Sequence, residues 1–203
     1  MTARIAVLDY GSGNLHSVSR AIAHVGGDAV VTADATEAAA ADALIVPGVG
    51  HFGHCVRSLA TLGMDHTIAG VIAAGRPVIG VCVGMQILFA GSDEDGAPGL
   101  GVFPGSVRRL PDGVRVPHMG WNGVRWTRSH QFVDGIPDDT RFYFVHSYAP
   151  DVDPELTVGR TEHGRPFAAV VAKDNVFATQ FHPEKSGDAG LQLYENLVKA
   201  VAA

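Results

Sequence analysis

One of the chain's two cysteines, Cys82, lies in "RPVIGVCVGMQILF" (Arg76 to Phe89), between Gly80 and Gly84 and after an apolar run. A thiol placed this way can act as a nucleophile if a base takes its proton and a further group orients that base. The segment "VFATQFHPEKSG" supplies both, as His182 and, two positions on, Glu184. In an extended backbone residues i and i+2 point the same way, so the carboxylate can reach the ring nitrogen that faces away from the sulfur. There it fixes the imidazole tautomer and stabilises its cation. Each piece alone has a plainer reading. Free cysteine is among the most buried residue types, and a His-x-Glu pair can simply sit on a surface loop. Found together in one chain, they read as a Cys82, His182, Glu184 triad.

The first half of the chain has to position that thiol. "ARIAVLDY", "DAVVTA", "DALIVPGVG" and "RPVIGV" read as buried strands. "LHSVSRAIAHVGG" and "MDHTIAGVIAAG" carry apolar residues at helical spacing, and "TEAAAADA" reads as a short helix. Strands separated by helices predict a parallel sheet covered on both faces. Cys82 then falls at the end of a central strand, where open α/β sheets bind ligands. Small Gly80 and Gly84 permit a sharp strand-to-helix turn. A helix "GMQILFA" from about Gly84 would aim free N–H groups at the sulfur, a placement that favours thiolate over thiol. From about Gly99 the pattern changes to short β-branched and aromatic segments joined by Gly, Pro, Asp and Asn turns, which predicts antiparallel strands. "DAGLQLYENLVKAVA" closes the chain as a helix with Leu191, Tyr194, Leu197 and Val198 on one face. With no repeat or linker, residues 1–203 read as a single domain.

Bulk properties narrow the setting. At 203 residues, 46% of them apolar, the chain can bury a sizeable core without disulfide or metal. A net charge of -6 leaves no basic footprint for nucleic acid. The sequence has no secretory leader pattern and no apolar stretch long enough for a bilayer. Two cysteines make a poor disulfide framework, so a reduced, cytoplasmic setting is predicted. "HFGHC" offers His51, His54 and Cys55 but no second ligand cluster at a metal-site spacing, so Cys55 is read as packing and no metal is predicted. "GSGN" matches no phosphate-loop pattern, and no cofactor is predicted.

"GVCVGMQ" and "QFHPEKSG" resemble the two catalytic motifs of the class I, or triad, glutamine amidotransferases, and "PGVG" (Pro47 to Gly50) resembles their oxyanion loop. "DYGSGNLHSV", "PHMGWN" and "YFVHSY" narrow the likeness to the glutaminase subunits of imidazole glycerol phosphate synthase. The likeness spans nearly the whole chain. It departs mildly at Val81 and Val83, where Ile and Leu are more usual, and in the His-rich "HFGHC". It implies a three-layer, flavodoxin-like fold with a mostly parallel central sheet and an antiparallel β-rich second half. It implies glutamine hydrolysis through a γ-glutamyl thioester on Cys82, with oxyanion donors from Val83 and the Val49–Gly50 loop. Gln86, His146, Ser147 and Tyr148 are implied glutamine contacts. The implied partner is a cyclase subunit of (β/α)8 barrel fold in a 1:1 heterodimer, docked on Asn14, Met119, Trp121 and Lys185. That partner would use the ammonia to form imidazole glycerol phosphate and an aminoimidazole carboxamide ribotide in histidine biosynthesis. The glutaminase of another synthase, such as one acting on chorismate, and a non-catalytic module on the same fold remain alternatives.

Overall fold

A computed structural model describes residues 3–202. The first half runs β1 (Arg4–Leu8), α1 (Leu15–His24), β2 (Asp28–Thr32), α2 (Ala35–Ala40), β3 (Ala43–Gly48), α3 (Phe52–Thr61), α4 (Met64–Ala73), β4 (Val78–Cys82) and α5 (Val83–Gln86). The second half runs β5 (Phe89–Ser92), β6 (Phe103–Arg109), β7 (His118–Trp126), β8 (Thr140–His146), β9 (Tyr148–Pro150), β10 (Thr157–Glu162), β11 (Pro166–Lys173), β12 (Val176–Thr179) and α6 (Gly187–Ala202). Single 3₁₀ turns lie at Gln131–Val133 and Pro183–Lys185.

Nine strands form one sheet in the order β2-β1-β3-β4-β12-β11-β10-β7-β8, and β5, β6 and β9 form a second. The α/β class, with a parallel core and an antiparallel remainder, is as predicted. β2, β1, β3, β4 and β12 pair in parallel, whereas β11, β10, β7 and β8 pair antiparallel. β3, β4 and β12 are buried at every residue. Near-continuous apolar runs such as "ALIV" follow from that, because a central parallel strand is covered on both faces. One helical group packs α1 against α6, and another packs α4 against α2 and α3. α1 buries Val18, Ala21 and Ile22 at helical spacing. Asp34 starts α2 by accepting hydrogen bonds from Thr36 N and Glu37 N at 2.7 and 3.0 Å.

Three local readings of the sequence need correction. The helix after Cys82 is a single turn, Val83–Gln86, and its expected continuation, Phe89, enters β5 instead, because the second sheet recruits the segment by pairing with β6. β12 stops at Thr179, so the approach to His182 is not strand. Glu184 reaches its histidine through the 3₁₀ turn at Pro183–Lys185 rather than through an extended pair. "RFYFVHSYAP", which reads as one of the antiparallel strands after Gly99, is also broken at Ser147, because β8 and β9 belong to different sheets.

Candidate active site

Cys82 ends β4 with φ 56° and ψ -112°, a backbone state costly for a residue with a Cβ. Close approach by its neighbours sustains the strain. A Cβ on Gly84 would lie 1.8 Å from Val46 O, and one on Gly48 would lie 2.5 Å from Gly84 N. Glycine at both positions lets the elbow close against β3, which pairs with β4 as far as Gly48 opposite Cys82.

His182 is pinned to the edge of the large sheet. Its N–H donates to Tyr143 O at 3.0 Å, and the Ser186 hydroxyl donates to His182 O at 2.6 Å while accepting from Tyr143 N at 3.0 Å. His182 Nδ1 lies 2.8 Å from Glu184 Oε1, with both side chains nearly sealed from solvent. A carboxylate only accepts there, so Nδ1 carries a proton. Burial alone would disfavour the imidazolium, but the Cys82 sulfur and the Glu184 carboxylate outweigh it and raise His182 to about 10. Among the described residues, His182 Nε2 has no hydrogen-bond partner. The Cys82 sulfur instead lies 3.9 Å from Val145 O and 3.7 Å from Gln180 Nε2.

Cys82 and His182 open into a cavity of about 260 Å³ also lined by Val49, Gly50, Val83, Gln86, His146, Ser147 and Tyr148. The triad, oxyanion and glutamine-contact residues read from the sequence thus converge on one pocket, with Glu184 behind His182. Some details differ from a simple projection of the motifs. Val49 N donates to Ser12 Oγ at 3.0 Å and the Ser12 hydroxyl donates to Val49 O at 2.7 Å, so of the two loop amides only that of Gly50 is not held by Ser12. The Gln86 amide nitrogen gives its protons to Tyr148 O at 2.9 Å and Gln180 Oε1 at 3.0 Å, which leaves its oxygen for a ligand. His146 Nδ1 donates to the same Tyr148 O at 2.8 Å, and its Nε2 accepts a hydrogen bond from His118 Nδ1–H at 2.9 Å. Burial lowers His146 to about 3 and His118 to about 4, so this histidine pair is neutral and serves as a brace.

Sequence reasoning missed Glu94, Pro117 and Val145 in the pocket wall. Glu94 Oε2 also accepts from Phe52 N at 2.7 Å, which ties it to the start of α3. Its only signal was the acidic run "DED" at Asp93 to Asp95. Cys55 is fully buried on α3 beside Ser12, and burial raises its thiol pKa, in keeping with a packing role. His51 faces Asp95 at 3.5 Å instead of joining Cys55.

Of the docking residues expected from the sequence, Met119 and Trp121 are among the few large apolar side chains left exposed, at 58% and 50%. Trp121 stands edge-on to Tyr143, over which Lys185 Nζ lies 5.9 Å from the ring centre. These three side chains form one patch beside the turn that carries His182. Asn14 sits half-buried at the start of α1 and makes no capping hydrogen bond.

A strained cysteine elbow facing a buried His-Glu pair, on this sheet, defines an enzyme class. The profile of the family Glutamine amidotransferase class-I matches residues 6–200, and the chain belongs to that family. Solved structures of similar fold include PurLQS from Thermotoga maritima (TM-score 0.78, 20% identity, covering 98% of this chain and 99% of that one). Within the family, the chain groups with proteins called imidazole glycerol phosphate synthase subunit HisH. It is 52% identical over 200 residues to that of Mycolicibacterium paratuberculosis, covering 96% of this chain and 97% of the relative. The relative from Methanothermobacter thermautotrophicus is 46% identical over 200 residues, covering 98% and 100%.

Proposed function

We propose that the chain acts as a single glutaminase domain that releases ammonia from glutamine for a cyclase subunit in histidine biosynthesis. The observation that carries this reading is the convergence of Cys82 with the His182–Glu184 pair in one pocket sized for a small amino acid. Cys82 attacks the side-chain amide carbon, and His182 passes a proton to the departing nitrogen, which leaves as ammonia. Water, deprotonated by His182, then cleaves the γ-glutamyl thioester to glutamate and returns the thiol. Glu184 keeps the imidazole oriented throughout. The Val83 amide, at the first turn after the nucleophile, and the Gly50 amide stabilise the tetrahedral oxyanion. Glu94 matches the α-ammonium group of glutamine. Gln86, His146, Ser147 and Tyr148 hold the rest of the substrate, the last three partly through main chain.

Free ammonia is largely protonated at neutral pH, and ammonium is no nucleophile. A protected path to the acceptor therefore favours a docked partner, and the names of the relatives support a synthase subunit. A (β/α)8 barrel binds its substrate at the loop end of its strands, so ammonia would enter from the opposite face, capped 1:1 by this chain. The exposed Met119, Trp121 and Lys185 patch, with Asn14, is the proposed docking face.

The test is to follow glutamate release from glutamine by the purified chain, with and without a cyclase subunit and its sugar-phosphate substrate. Partner-dependent release, coupled to formation of imidazole glycerol phosphate and an aminoimidazole carboxamide ribotide, is expected. Release coupled only to a different synthase would overturn the assignment of partner.

A further inference from the structure

The Cys82 sulfur has a polar neighbour that the triad does not use. Gln180 is fully buried, and its Nε2 lies 3.7 Å from Cys82 Sγ. Strand pairing puts it there. β12 lies parallel to β4 with Thr179 opposite Val81, so the next residues along, Gln180 and Cys82, come together where the strands end.

A buried primary amide can turn either its NH2 or its oxygen toward the sulfur, with opposite consequences, and the surrounding hydrogen bonds decide which. Tyr148 O can only accept, so the Gln86 atom 2.9 Å from it is the amide nitrogen. The same nitrogen lies 3.0 Å from the Gln180 amide, and it has a second N–H to give, so Gln180 must answer with its oxygen. That leaves the Gln180 NH2 for Cys82. His146 Nδ1, 2.8 Å from Tyr148 O, donates to the same anchoring carbonyl. An amide N–H aimed at sulfur stabilises the anion more than the neutral thiol, because hydrogen bonds to charged acceptors are the stronger ones. An amide oxygen in the same place would repel it.

We propose that Gln180 is a further catalytic residue whose side-chain N–H steadies the Cys82 sulfur as an anion, with Gln86 as the positioning residue that fixes which face of the amide it shows. This rests on the reading of Cys82 as the nucleophile. Gln86 therefore serves the nucleophile through Gln180 as well as the substrate pocket.

The experiment is site-resolved alkylation of the full chain by iodoacetamide across pH 5 to 10. Mass spectrometry would follow Cys82 and Cys55 separately in the wild type, Gln180→Leu and Gln180→Glu. Loss of one hydrogen bond to a charged acceptor should slow Cys82 alkylation in Gln180→Leu about tenfold at neutral pH. Gln180→Glu keeps an oxygen for Gln86 but, once ionised, sets another beside the sulfur, so its alkylation should slow at least as much. It nearly preserves the native shape, so it decides the matter if the leucine variant fails to fold. Superimposable Cys82 profiles in wild type and Gln180→Glu would overturn the proposal, whatever happens to turnover. Failure of the underlying reading looks different: a glutamine-analogue electrophile would then label Cys55, or leave Cys82 unmodified, in the wild type.

Discussion

Replacing Glu184 by Gln keeps the side chain's shape and removes its charge, in a place where the structure limits what can happen next. Glu184 Oε1 accepts from His182 Nδ1 at 2.8 Å, and Oε2 is buried with no partner among the described residues. If the new amide offers its oxygen to Nδ1, the tautomer survives, but an NH2 group replaces Oε2 without an acceptor, at a cost of about 1–3 kcal/mol. If it turns over, its NH2 faces Nδ1, the imidazole proton moves to Nε2, and His182 can no longer take the proton of the thiol. The first outcome loses a charge-assisted bond, and the second loses the base. Where a triad works through the wrong tautomer, turnover falls about 10^4-fold, and removal of the acid costs less than removal of the base. We expect kcat for Glu184→Gln to fall about 10^3–10^4-fold, with His182→Ala lower still. Glutamate release with saturating cyclase and its substrate, from pH 6 to 10.5, is the assay. The pH profile gives a second check. Glu184 is one of the two groups that raise His182 to about 10, so its loss should move the alkaline limb of kcat to lower pH. The sign also holds for stability. A pKa raised above its unfolded value of about 6.5 contributes stability fully present below that pH and lost as pH rises through about 10, and this loss should be shallower in Glu184→Gln. Unchanged turnover with an unmoved alkaline limb would refute the argument and leave the carboxylate without a part in orienting His182.

Three further outcomes follow from the same geometry. Cys82→Ala should lose at least ~10^3-fold in glutaminase rate while Cys55→Ala stays near wild type, and a diazo-ketone analogue of glutamine should add its mass to Cys82 alone; intact-mass and peptide mapping check this. Gly84→Ala would force a Cβ to within 1.8 Å of the main-chain Val46 O, so we expect about 2–3 kcal/mol of destabilisation and an elbow that no longer aligns the sulfur, read by denaturant unfolding and by glutaminase rate. Lys185→Glu or Trp121→Ala should weaken binding of the cyclase and ammonia transfer with the fold intact, measured by calorimetric titration and the coupled assay; wild-type binding by both variants would place the docking face elsewhere.

What could be read in the sequence was local. Gly80 and Gly84 around Cys82 announced the elbow because only small residues allow such a close turn, and His182 and Glu184 were a pair because they are two residues apart. Apolar runs marked β3 and β4 because a strand buried on both faces has no polar side. Two of these readings were right in outcome for a partly different reason: the elbow leads into one helical turn rather than a longer helix, and the pair meets through a 3₁₀ turn. The rest was decided by which strands lie side by side. Gln180 meets Cys82 across 98 residues of sequence only because β12 inserts beside β4, and no spacing rule links them. Glu94 enters the pocket wall because the segment after α5 leaves the helix to pair with β6. Tyr143 joins the exposed patch beside Trp121 because β7 and β8 pair in that register, and its main chain holds His182 in place. Short-range chemistry is written in neighbouring residues, but a charge or amide brought in from a distant strand is specified by the cooperative packing of the whole sheet, which no short window of sequence contains.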